Sequence, residues 1–361
     1  MGKKNIKTTP KQPFVSICTP TFNRRPFIPI IIKCVENQTY PKDRLEWIIV
    51  DDGPDKIEDL VAHLPYVKYF RYETKMTLGK KRNITNEKAK GDILVYMDDD
   101  DYYPPDRVSH AVERLKGSPA LCAGSSQMFI YFKHITKMLT FGPYGPNHAT
   151  AATFAFKKEL LLQTRFSEES SVAEERAFLK DYSIPFVQLD PNKSIVVFSH
   201  NHNSFDKKEL LKQMPNPMIK ETPVLPKDLV KQPDVLKFFM EDIDVLLDKY
   251  EPGKVDYKPD VIKQIAELKQ KREQQQQEYN NQQMTVQQKL NEQAAIIQQL
   301  SIENKQLKEQ VQYLDKKITQ IITDQLNKLK EAKMKEKEKE KELVMTEELV
   351  MTEELVMTCN D

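Results

Sequence analysis

Four consecutive carboxylates, Asp98-Asp99-Asp100-Asp101, follow directly on the apolar run Ile93-Leu94-Val95-Tyr96-Met97. A β-branched and aromatic run of that length predicts a buried strand. The chain therefore carries a block of negative charge to the end of a core strand. Adjacent carboxylates repel one another, and all are normally ionised at neutral pH. Packing has no use for such a cluster. A divalent cation does, because Mg²⁺ or Mn²⁺ prefers carboxylate oxygen and offsets the repulsion. The alternative, an acidic surface turn, suits an isolated Asp pair better than four acids on a core strand.

The segments before this run set its context. Phe14 to Thr19 reads as a first strand, followed by the loop Pro20-Thr21-Phe22-Asn23-Arg24-Arg25. Ile28 to Gln38 has helical spacing, Leu45 to Val50 is a second strand ended by Asp51-Asp52-Gly53-Pro54, and Val67 to Tyr72 is a third. Gly79-Lys80-Lys81-Arg82-Asn83 opens a helix running to about Lys90. This order predicts an α/β layer with a mostly parallel sheet. Ligands of such sheets sit at the carboxyl ends of the strands. Thr21 and Asn23, Asp51 and Asp52, and the acidic run all fall there.

Further on, Pro104 to Leu115 predicts a helix with Val108, Ala111, Val112 and Leu115 on one face. Leu121 to Phe132 and Ile135 to Phe141 read as a strand pair, and Val172 to Leu179 as helical. Phe186 to Leu189 and Ile195 to Phe198 are late strands, the second running into Ser199-His200-Asn201-His202. Composition changes near Leu210, and a Pro-punctuated helical linker or appendage is expected over 211–260.

From about Val261 the chain loses Gly and Pro and fills with Gln, Lys and Glu. Leu290, Ile297, Asn304, Val311 and Ile318 fall at one heptad position. Val286, Leu300, Leu307, Leu314 and Ile321 fall at the other, with Gln293 interrupting. That spacing predicts a coiled coil over 261–327, and a single seam Asn favours a parallel, in-register homodimer. A charged tail over 328–361 ends in repeats of the hexapeptide Glu-Leu-Val-Met-Thr-Glu, for which no catalytic role is expected.

Lys plus Arg (55) nearly balances Asp plus Glu (54) over 361 residues, so no global field draws nucleic acid. Residues 1–12 read as a flexible basic tail with no apolar stretch behind them, and no segment has the length and apolarity of a transmembrane helix. Cys18, Cys34, Cys122 and Cys359 show no zinc spacing, and the first two suit core thiols of a reducing compartment. The expectation is a cytoplasmic protein.

A metal at a strand end, with polar groups on neighbouring strand ends, suits a diphosphate. In this respect Phe14 to Asp101 resembles the nucleotide-binding half of family-2 glycosyltransferases, which have the GT-A fold. The pieces that match, in the family's order, are Thr19-Pro20-Thr21-Phe22-Asn23-Arg24, Val50-Asp51-Asp52-Gly53, Gly79-Lys80-Lys81-Arg82-Asn83 and Met97-Asp98-Asp99-Asp100-Asp101. The likeness continues less clearly to about His202, and a GT-A domain is expected over 13–210.

The resemblance implies roles. Pro20, Thr21 and Asn23 would line the nucleotide, Asp51 or Asp52 would accept from the uracil imide, and Arg82 would reach the base or phosphates. Asp98 and Asp100 match the acidic ends of the family's Asp-any-Asp motif. Asp98 would touch ribose or the metal, and Asp100 would be the main metal ligand, with Asp99 beside them in the nucleotide site. The family's base is the second of an acidic pair, which implies Glu175 with Glu174 as its neighbour; here Glu stands where the family usually has Asp. His200 and His202 would supply a late metal ligand or phosphate contact. Together these imply a Mn²⁺- or Mg²⁺-dependent, inverting transfer of a sugar from a nucleotide sugar, a UDP-sugar foremost, to a hydroxyl on an undetermined glycan or protein. Two other classes compete. A nucleotidyltransferase also uses strand-end carboxylates, but the loop Pro20 to Arg25 lacks the glycines it needs. A non-catalytic coiled-coil assembly protein with a relic domain would have no need of intact acidic motifs.

Overall fold

The computed structural model describes residues 12–357, with side chains over 12–348. The expected basic tail, apart from Gln12, lies outside the described residues, as does Cys359; beyond Glu348 the hexapeptide repeats are described by backbone alone. Eleven strands occur among the described residues: β1 (Val15–Thr21), β2 (Leu45–Asp51), β3 (Val67–Arg71), β4 (Ile93–Tyr96), β5 (Cys122–Gly124), β6 (Met128–Phe132), β7 (Lys137–Phe141), β8 (Ala155–Lys157), β9 (Phe186–Gln188), β10 (Val196–Ser199) and β11 (Ile219–Glu221).

Seven of them form one sheet in the order β3-β2-β1-β4-β8-β5-β9. β3, β2, β1 and β4 are mutually parallel, β8 runs antiparallel to β4 and β5, and β9 is parallel to β5. Every residue of β1, β2 and β4 is buried, which is why they read as nearly continuous apolar runs. β3, at the edge, alternates instead. The α/β sheet expected from the sequence is therefore present, with one antiparallel member.

Parallel pairing fixes where the strand ends meet. Thr21 lies opposite Asp51, and Cys18 opposite Tyr96, so the segments after β1, β2 and β4 leave the same edge. Helices α1 (Ile28–Glu36), α2 (Leu78–Lys88) and α3 (Arg107–Lys116) lie between these strands or follow them. α3 buries Val108, Ala111, Val112 and Leu115, the face its spacing predicts.

A second sheet has the order β10-β6-β7-β11. The sequence located β6, β7 and β10 but not their separation from the main sheet. Tyr102 joins the two regions: its N–H donates to Val196 O at 3.0 Å, and Val196 N–H donates back to Tyr102 O at 2.9 Å. This bridge ties the exit of the acidic run to β10, whose far end leads into His200.

The chain divides into two units, one ending at Lys271 and the other beginning at Arg272. Residues 211–260, expected as a linker or appendage, belong to the first unit. Phe238, Phe239, Ile243 and Leu247 are buried in the same apolar core as the β1 and β2 side chains, and Phe239 stacks on Phe198 of β10 at 4.4 Å. Phe and Ile at helical spacing are the sign of this packing. The flanking prolines start short helices at Pro226 and Pro233; they do not open a linker. A short helix α4 (Glu175–Phe178) precedes β9, and α5 (Pro259–Met357) is one helix of 99 residues. Its middle carries the heptad residues Leu290, Leu300, Leu307 and Leu314, each more than half exposed in the single chain.

Candidate active site

The shared strand edge opens into a cavity lined by Pro20 and Thr21 at the end of β1, Arg24 after it, Lys81 of α2, Asp98 to Asp100 after β4, and Lys258 and Asp260 at the start of α5. Pro20, Thr21, Asp98, Asp99 and Asp100, all expected in the nucleotide or metal site, are thus brought together.

Buried arginines hold the acidic run. Arg24, 4% exposed, reaches Asp99 at 3.5 Å through Nε and Asp100 at 3.1 Å through Nη2. Burial alone would raise the Asp100 carboxyl, but the Arg24 charge, His200 and the Lys207 charge together outweigh it and hold Asp100 below the usual carboxylate range. The other three go the opposite way. Burial pushes Asp99 up to about 7 and raises Asp98 and Asp101, with Asp100 adding repulsion. Asp101 Oδ1 is buried without a hydrogen-bond partner. Four acids meet only two guanidinium groups here, and burial holds three of the carboxyls toward their protonated form, a set that a cation would bring to the ionised form.

Arg82 does not point its charge at the cavity. Its guanidinium is buried between two acids, donating from Nε to Glu174 Oε1 at 2.7 Å and from both terminal nitrogens to Asp98 at 3.2 and 3.3 Å. It also lies over the Tyr96 ring at 4.6 Å. The expected contact with base or phosphates is replaced by a bridge from the acidic run to the Glu174-Glu175 pair. Glu174 is thereby committed to an ion pair, whereas Glu175, first residue of α4, forms none among the described residues. Burial and then the neighbouring Glu174 charge raise the Glu175 carboxyl to about 7.

Three other expected nucleotide contacts are taken up by the protein itself. Asp51 accepts from Gly53 N at 2.9 Å, Ile57 N at 3.2 Å and the Tyr69 hydroxyl at 2.6 Å. Asp52 accepts from Met76 N at 2.6 Å and pairs with Lys81. Both are buried, and neither lines the cavity. Asn23 adopts φ 52°, a left-handed conformation that Asn tolerates. Its amide donates to Pro252 O at 2.8 Å and accepts from Asp55 N at 3.1 Å, tying two loops together. A double Asp after a strand reads as a ligand contact, but short turns with free N–H groups claim such carboxylates first.

The two late histidines separate. His200 Nε2 lies 3.6 Å from Asp100 Oδ2, and burial lowers its pKa to about 4, so the ring is neutral. His202 offers Arg24 its carbonyl oxygen, at 2.9 Å, and its ring lies beside Tyr250 at 6.4 Å. The geometry therefore assigns His202 a different place from the metal ligand expected of it. Among the described residues no three Asp, Glu, His or Cys side chains converge as a complete metal cage. Asp98 and Asp100, sharing one cavity, are enough for a Mg²⁺ or Mn²⁺ of the kind held by one or two carboxylates, water and phosphate oxygens.

Sequence reasoning gave no role to Arg24, Lys81 or Lys258. Arg24 and Lys81 stand inside motifs that were recognised, and only the fold shows that they are buried. Lys258 lies far from every motif. The close approach of residues 167–170 to α2 is likewise tertiary. A Cβ on Gly79 would stand 2.0 Å from Ser167 O, and Gly79 N–H donates to Ser170 O at 2.8 Å.

Residues 16–162 match glycosyl transferase family 2. An uncharacterised glycosyltransferase of Haemophilus influenzae is 31% identical over 108 residues, 29% of this chain and 35% of that protein. The poly(ribitol-phosphate) beta-N-acetylglucosaminyltransferase TarS of Staphylococcus aureus is 27% identical over 100 residues, 24% of this chain and 16% of that protein. The chain thus spans well under two thirds of these relatives. Among solved structures, TarS residues 1–349 superpose with a TM-score of 0.43 at 20% identity, covering 51% of this chain and 60% of the other. The mannosyltransferase PcManGT of Pyrobaculum calidifontis, in complex with GDP-Man and Mn²⁺, gives 0.44 at 18% identity, covering 54% and 59%. No helix among the described residues is long and apolar enough to cross a membrane. Over residues 16–162, which carry most of the α/β sheet and its acidic strand edge, the chain is similar to family-2 glycosyltransferases.

Proposed function

We propose that the protein transfers a sugar from a nucleotide-sugar donor, foremost a UDP-sugar, to an acceptor hydroxyl with inversion at the anomeric carbon. One observation carries this reading. The acidic run that lines the cavity is linked through Arg82 to a carboxyl pair, and that pair holds one committed member and one near neutrality. Glu175, ionised just above its raised pKa, is suited to take the proton of the attacking hydroxyl. Arg82 and Glu174 act as positioning residues that hold Glu175 and Asp98 in fixed relation. Asp98 and Asp100 would hold Mn²⁺ or Mg²⁺, with His200 beside Asp100. When bound, that ion would supply positive charge to the departing diphosphate. A hexosamine donor is in keeping with the name of the relative TarS.

The long helix supports a second part of the reading, a parallel homodimer. Its seam has β-branched Ile297, Val311 and Ile318 at one position and Leu300, Leu307 and Leu314 at the other, the combination that favours two strands. In parallel register Asn304 faces its own copy, and Glu303 of one chain meets Lys308 of the other.

The test is incubation with a panel of nucleotide sugars and Mn²⁺, reading the nucleotide released. Release of UDP supports the transfer; release of pyrophosphate supports a nucleotidyltransferase. A protein whose Asp100→Ala variant keeps every cellular function supports the relic reading.

A further inference from the structure

The cavity is not walled by the family-2 segment alone. Ser171, Ser204, Lys258, Asp260 and Val261 line it from beyond residue 162. Lys258 stands one residue before α5 and is 6% exposed. Three lysine ammonium groups gather around the Phe22 ring: Lys75 at 5.3 Å, Lys81 at 5.6 Å and Lys258 at 6.0 Å from its centroid. Two of them are neutralised, Lys75 by Asp260 and Lys81 by Asp52. Lys258 forms no ion pair among the described residues and donates only to the Ser204 hydroxyl, at 2.9 Å.

A buried ammonium with one neutral partner is costly. Burial and the nearby Arg24 charge depress its pKa to about 7, while Asp100 and Asp99 pull the other way. The carboxylates that could neutralise it are already engaged by Arg24. An anion entering the cavity beside Asp98 to Asp100 would supply the missing charge.

We propose that Lys258 is a phosphate-binding residue of the donor site, contributed by the segment that leads into the long helix. This rests on the nucleotide-sugar reading above. The same turn anchors the loop that carries the carboxyl pair. Asp260 Oδ2 accepts from Ser171 Oγ at 2.7 Å, and Gln264 Oε1 accepts from Ser171 N at 2.7 Å and Val172 N at 2.9 Å. The donor pocket is thus composite, and the base of the long helix is one wall of it.

Calorimetry on the full chain with Mg²⁺ tests this, using UDP, uridine and inorganic pyrophosphate against wild type, Lys258→Met and Lys258→Arg. Lys258→Met keeps most of the apolar stem, and an unchanged Trp47 unfolding transition shows that the fold is kept. The expected result is UDP and pyrophosphate binding weakened roughly tenfold or more in Lys258→Met, uridine binding unchanged, and most of the loss restored in Lys258→Arg. Unchanged UDP and pyrophosphate binding in Lys258→Met overturns the proposal, as does an equal loss of uridine, which would make Lys258 a packing residue. Wild type that binds pyrophosphate but not UDP overturns the nucleotide reading and leaves the phosphate role to be decided by the pyrophosphate arm. Wild type that binds neither overturns both.

Discussion

Replacing Arg82 with Met tests whether the bridge between the acidic run and the carboxyl pair holds the site together. The substitution keeps the apolar stem and removes one hydrogen bond to Glu174 at 2.7 Å and two to Asp98 at 3.2 and 3.3 Å. Glu174 has a side chain 5% exposed, so it cannot turn to water; Asp98, at 24%, is partly relieved by solvent. Breaking a buried pair and stranding its partner costs about 3–5 kcal/mol, and most of that is expected from Glu174. The stranded carboxyls can escape by taking up protons, so their folded pKa values rise above the unfolded ones. A raised folded pKa gives stability that is present at low pH and lost as pH rises through it. The deficit of Arg82→Met should therefore widen from pH 5 to pH 8. The assay is urea unfolding followed by Trp47 fluorescence. Trp47 is the one tryptophan of the chain and is fully buried in β2, so it reports the first unit without interference from the long helix. Adding Glu174→Gln should recover part of the loss, because one stranded charge is gone. A deficit below about 1 kcal/mol at pH 7.5, flat with pH, would refute the reasoning.

Further outcomes follow from other parts of the molecule. Glu175→Gln should lower the transfer rate by roughly 10²–10⁴ with little change in UDP affinity, measured by steady-state kinetics. In the wild type the rate should climb as pH rises through about 7, where the Glu175 carboxyl ionises, and level above it; a rate flat from pH 5.5 to 8.5 would count against Glu175 as base. Gly79→Ala places a Cβ 2.0 Å from the Ser167 carbonyl, a backbone clash expected to cost about 1–3 kcal/mol in the same unfolding assay. Asp100→Ala should abolish any gain in UDP affinity on adding Mn²⁺, read by calorimetry. Asn304→Leu should raise the melting temperature of the helix and broaden its oligomeric states in ultracentrifugation, whereas Leu307→Lys should leave monomers.

Much of the architecture is legible in local pattern. Continuous apolar runs gave β1, β2 and β4 because both faces of those strands are covered, and a run of that kind has few other uses. The acidic run, the Glu pair and the heptads are likewise visible in the residues themselves, since charge repulsion and helical period are local properties. The Glu174 charge that helps raise the Glu175 carboxyl is visible in the adjacent pair, whereas burial, the larger cause, is set by the fold.

What only the folded chain decides is partnership. Arg82 and Asp51 read as ligand contacts because their motifs sit at strand ends. Their charges are spent on Glu174 and Asp98, and on Gly53, Ile57 and Tyr69, because a buried charge must be satisfied by whatever the fold brings near. Asn23 shows the same: a loop asparagine becomes a clasp to Pro252, 229 residues away. The helical linker or appendage expected over 211–260 carries Phe238 and Phe239 into the core, and Lys258, near its end, reaches the cavity. Sequence spacing governs contacts within one helix or strand. Between elements the nearest neighbour is chosen by sheet order and loop closure, and no local pattern encodes that distance.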